Sequence, residues 1–147
     1  MNFRNIILIS FIFLVAFVAC NKKSKTQNAS DNPVPYVQVD MTIYPNDPLY
    51  FKIQAIGGWM YVNGGINGLI VYRKSQQEFV ALERTSSYLP DNPAAKGKVM
   101  PDNFTVRDTI SDSRWQMYDG TVSQGPAAWP LRVYGTNYDG NSLRIRN

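Results

Sequence analysis

"SRWQMYDGTVSQGPAAWPLRVY", residues 113–134, is a run of short β-rich segments separated by turn chemistry. "RWQMY" meets Asp119-Gly120, a Gly-Pro-Ala step follows at 125–127, and "LRVYGT" then runs into "NYDGN" before "SLRIR" closes the chain. Asp-Gly and Asn-rich steps supply the positive φ of tight hairpins, so the stretch reads as successive antiparallel strands. The same grammar extends upstream. "GWMYV" and "GLIVYR" flank "NGGIN", and "EFVALE" follows the polar turn "KSQQ". "LYFKIQAI" places Leu49, Phe51, Ile53 and Ala55 on one face of an expected strand. In "YVQVDMTI", Val37, Val39, Met41 and Ile43 alternate with polar residues, and "YPNDP" ends the run. No window of a dozen residues after the first apolar stretch has helical periodicity. Many short strands with Gly and Asn turns give an all-β fold class, an antiparallel sandwich or barrel.

The N-terminus is of another kind. Ile6 to Ala19 is uncharged, apolar apart from Ser10, and the length of a signal-peptide core, too short to span ~30 Å of hydrocarbon comfortably. Ala19 precedes Cys20, the one cysteine, and "NKKSKTQNASDNP" follows at once. "FVAC" resembles the bacterial lipoprotein signal, in which cleavage falls before a cysteine that takes a diacylglyceryl group. The resemblance divides the chain into a lipoprotein signal peptide at 1–19, a lipidated flexible tether at 20–35 and an all-β domain at 36–147. It also places the protein on a membrane of the cell envelope, the outer membrane being expected, through Cys20. Loss of residues 1–19 leaves 14 basic residues against 11 acidic ones, and Lys22, Lys23 and Lys25 supply that excess beside the lipid. The folded part is near neutral, so no nucleic-acid partner is expected.

Catalysis has little to draw on. There is no histidine, and Cys20 is committed to lipid, which removes the usual Ser-His and Cys-His nucleophiles. Glu78 and Glu83, five positions apart on one strand, fall on opposite faces and read as solvated strand ends. The chain is read as no enzyme.

Trp115, Gly120, Gly125-Pro126-Ala127, Leu131 and Tyr134, together with "EFVALERT" upstream, resemble the Rieske iron–sulfur domain in order and spacing. The similarity spans roughly residues 49–147 and resembles the Rieske-like modules of small Bacteroidetes lipoproteins. It implies an antiparallel Rieske-like sandwich of short strands in which two loops present Cys-x-His and Cys-x-x-His to a [2Fe–2S] cluster. Carried across, the first pair falls on Ser86 and Tyr88 and the second on Asp108 and Ser111. The resemblance therefore implies a degenerate domain with its cluster ligands absent, and no cofactor is expected. The same oxygens, with Asp102 and Asp112, could be imagined around a hard cation. "DNFTVRDTISD" reads better as a strand with polar ends, so no metal is expected. "DTI" resembles a short O-glycosylation signal with Thr109 as acceptor.

The loops at 84–92 and 108–114 are expected to meet at the former cluster tip, with Tyr88 and Trp115 packing across the gap. Trp129, between Ala128 and Pro130, is the aromatic expected to be exposed. Tyr88 and Trp129 are accordingly the candidate contacts for an envelope protein or glycan partner. The reading is a non-catalytic binding or assembly module on a lipid anchor; the alternative is a redox or metal-binding protein of Rieske type with unconventional ligands.

Overall fold

The computed structural model describes residues 32–147; the expected signal peptide, Cys20 and most of the expected tether lie outside the described residues. Among the described residues ten strands follow one another: β1 (Asp40–Ile43), β2 (Trp59–Val62), β3 (Leu69–Arg73), β4 (Phe79–Glu83) and β5 (Gly97–Val99). After them come β6 (Thr105–Asp108), β7 (Arg114–Gln116), β8 (Val122–Gln124), β9 (Val133–Tyr138) and β10 (Leu143–Arg146). One sheet has the order β1-β10-β9-β4-β3-β2, the other β5-β6-β7-β8, and every pairing is antiparallel. The small sheet is thus an insertion between two spatial neighbours, β4 and β9. This all-β architecture agrees with the Rieske-like fold expected from the sequence.

Burial explains why β3 and β4 read as unbroken apolar runs. Leu69, Val71, Phe79 and Ala81 face one core with Ile43, Ile53, Leu143 and Ile145. Ile70, Val80 and Leu82 face a second core with Val106, Trp115, Met117 and Leu131 of the inserted segment. A strand covered on both sides has no solvent face to fill with polar residues.

Three expectations are corrected. "LYFKIQAI" is no strand: Pro48–Ile53 forms a 3₁₀ turn, with only Ile53 of its residues buried. Asp47 starts it by accepting the Leu49 N–H at 2.8 Å, and Pro48 at the first position has φ preset for a turn and no N–H for a ladder. Packed structure also begins before Tyr36. Val34 is buried, the Asn32 amide donates to Pro130 O, and Arg132 donates to Val34 O. Third, Glu83 is no solvated end; it is fully buried.

Glu83 gathers five hydrogen bonds. Ile66 N–H and Tyr134 Oη donate to Oε2, both at 2.9 Å, while Asn67 N–H, Thr85 N–H and Thr85 Oγ1 donate to Oε1 at 2.8–3.1 Å. They come from the β2–β3 turn, the end of β4 and β9, so one carboxylate ties three parts of the large sheet. Gly65, at φ +60°, makes room for it: a Cβ there would stand 2.0 Å from Oε2. Burial, then the nearby Glu83 charge, pushes the Tyr134 hydroxyl above its ordinary range.

Candidate functional site

Three segments converge where the resemblance puts a cluster. The first leaves β4 as Arg84-Thr85-Ser86-Ser87-Tyr88. Ser86 is fully buried, and its Oγ receives the N–H groups of Tyr88 and Leu89 at 3.3 and 3.4 Å. Its own N–H donates to Ala95 O at 3.0 Å. The hydroxyl thus shapes the turn that a ligand cysteine would open.

The second segment is the β6–β7 turn. Asp108 is fully buried; Oδ1 accepts the Ile110 N–H at 2.9 Å and Oδ2 the Ser111 hydroxyl at 2.6 Å. The Ser111 and Ser113 hydroxyls are 3.0 Å apart, and Ser113 Oγ accepts the Ala127 N–H at 3.0 Å. This chain of oxygens fastens the β6–β7 turn to the third segment, Gly125–Leu131. At the rim, Arg107 Nε donates to Asp112, and Arg114 lies 3.5 Å from the same carboxylate. The hydrogen bond from Arg107 is the chief reason that the Asp112 carboxyl is held below the usual range.

The third segment closes the tip with one backbone atom. Trp129 O accepts the Ser87 hydroxyl at 2.6 Å and the Trp115 indole N–H at 3.0 Å. The loop after β4 and strand β7 are therefore joined through Trp129's carbonyl, which corrects the expected aromatic bridge. Trp115 is fully buried in the second core, whereas Tyr88 stays half exposed. Trp129 is only partly exposed. Sequence reasoning missed Ser87 and Ser113 as ties. Both are serines in ordinary turn sequences, and only the returning chain gives them partners.

The donor set does not fit an iron–sulfur cluster. Two serine hydroxyls, a phenol and a carboxylate stand where thiolate sulfur and imidazole nitrogen are needed, and three of the four already serve internal hydrogen bonds. Among the described residues no three His, Cys, Asp or Glu side chains are grouped to hold a metal ion.

No family model and no curated protein matches the chain. Among solved structures, the complex of reduced oxygenase and oxidized ferredoxin in carbazole 1,9a-dioxygenase is 20% identical over 64% of this chain and 83% of that one, with a TM-score of 0.46. The ferredoxin of carbazole 1,9a-dioxygenase from Nocardioides aromaticivorans is 14% identical over 62% and 86%, with a TM-score of 0.44. Neither similarity reaches a level at which a residue's role transfers.

Proposed function

We propose that the protein is a lipoprotein of the cell envelope, anchored through Cys20, whose Rieske-like domain works without a cluster as a non-catalytic binding or assembly module. One observation carries the reading: Ser86, Asp108 and Ser111 spend their polar atoms on the turns they sit in, so the tip is held by hydrogen bonds in place of metal bonds. Tyr88, half exposed on that tip, is the residue we assign to partner contact, the partner being an envelope protein or a glycan. Trp129 contributes through its carbonyl, which fixes the loop behind Tyr88.

Iron analysis and an absorption spectrum of the purified full chain test this. No stoichiometric iron and no visible bands are expected; iron with bands would return the chain to electron transfer. Melting should be the same with and without chelator, because a structural metal would contribute directly to folding. Cys20→Ala should yield an unprocessed chain without acyl label, and normal labelling of that variant would refute the anchor.

A further inference from the structure

The excursion between β1 and β2 gathers several exposed large apolar side chains. Leu49 is 78% exposed, Phe51 64%, Ile56 54% and Tyr44 51%. Flexibility does not explain this, because the excursion is pinned from beneath. Ile53 is fully buried, and the buried Arg73 guanidinium donates to Ile53 O at 3.3 Å and Gln54 O at 2.8 Å. Gly58 closes the base so tightly that a Cβ would lie 2.0 Å from Lys52 O. With Ile53 as the root, Leu49 and Phe51 have no inward position left. The turn presents a fixed apolar knob, with the exposed Lys52 directly after Phe51.

We infer that this knob is a membrane-interface wedge: Leu49, Phe51 and Ile56 enter the headgroup–acyl boundary while Lys52 meets lipid phosphate. The inference rests on the anchored reading proposed above, and extends it from a tether to an orientation. Three arguments favour lipid over protein as occupant. Leu and Phe beside a lysine is the chemistry of interfacial segments, whose cationic heads stay at phosphate depth. The knob is small: even an aromatic ring covers only about 150–250 Å², and stable protein interfaces need ~800 Å² per partner. A weak contact suffices once a tether raises its effective concentration. Eleven residues separate Cys20 from Asn32, where the described chain begins. Fully extended they reach at most about 40 Å, comparable with the breadth of such a domain, whose radius of gyration is about 13 Å.

The test uses full-length acylated protein in vesicles of phosphatidylethanolamine and phosphatidylglycerol, with an environment-sensitive fluorophore on Phe51→Cys. Asn137→Cys, exposed on β9, is the reference, and acylation leaves the introduced thiol as the free one. The label at 51 should shift to the blue and be quenched by lipid-borne quencher at least about twofold more than the label at 137. Adding Leu49→Ser should reduce that quenching. Equal quenching at both positions in an acylated chain overturns the wedge and leaves the anchor standing. A mass spectrum without the acyl group sinks the anchor, and the wedge then stands or falls on the quenching at 51 alone. A blue shift without vesicles, accompanied by a doubled mass, identifies a second copy as occupant and also overturns it.

Discussion

Each sheet contains one fully buried carboxylate, and the two are held in different ways. Glu83, at the end of β4, draws its donors from Ile66, Asn67, Thr85 and Tyr134, so its partners lie up to 51 residues away. Asp108, at the end of β6, is satisfied within its own turn by Ile110 and Ser111, two and three residues on. The first carboxylate organises tertiary structure. The second shapes a loop and, through Ser113, secures it to Ala127. The difference shows two ways of satisfying a buried carboxylate: by chain returning from far away, or by a short local turn joined to its neighbours at a few oxygens.

The contrast can be broken most directly at Glu83. Glu83→Gln puts an amide N–H₂ among donors and strands buried groups, so denaturant unfolding should show a loss of about 3–5 kcal/mol. Tyr134→Phe removes one bond to the same carboxylate and should cost about 2 kcal/mol. It should also change the alkaline limb. The Tyr134 hydroxyl is raised above its ordinary value near 10 by burial and the Glu83 charge. Above that pH the unfolded chain loses a proton that the folded chain keeps. The resulting stability is complete below about pH 10 and falls as pH rises beyond it, and Tyr134→Phe should flatten the decline.

Asp108→Asn should cost less, about 1 kcal/mol, because its partner groups border solvent and can turn to water. A loss equal to that of Glu83→Gln would erase the distinction between the two sheets. Tyr88→Ala should change stability least, by less than about 0.5 kcal/mol, since the ring is half exposed. A partner captured by the intact chain should nonetheless bind this variant more weakly in a pull-down. If both stability and capture stay unchanged, the tip is not the contact surface.

Most of the large sheet was legible in the sequence, because β3, β4, β9 and β10 have apolar patterns bounded by turn residues. The 3₁₀ turn was not: Leu49, Phe51 and Ile53 alternate as a strand would, and the decisive signal was Asp47-Pro48 in front of them. β5 and β8 are three residues each, too short to show any alternation. At the tip, spacing located Ser86, Tyr88, Asp108 and Ser111 but could not show which were buried. A carboxylate at a strand end looks the same whether water or a returning chain meets it, which is why Glu83 was misread. Val34 shows the same limit. One valine in a polar run gives no hint of the Arg132 and Pro130 segment that covers it.

The insertion of β5–β8 between neighbouring strands also constrains the order in which the molecule can assemble. The β2–β3–β4 meander needs only local hairpins. β9 can join it only after the chain has travelled through the insert and returned, as the 51-residue separation of Glu83 and Tyr134 measures. β1 waits longer still, since Asp40 and Arg144 are 104 residues apart. Closure entropy must be met before such contacts reward it, so this topology has the high contact order of slow folders, in the millisecond-to-second range. Until β9 arrives, the edge of β4 stands unpaired, because Ala81 and Leu82 find their ladder partners in Tyr134 and Val133. The rate at which β9 docks sets how long that edge is open to pairing with another chain.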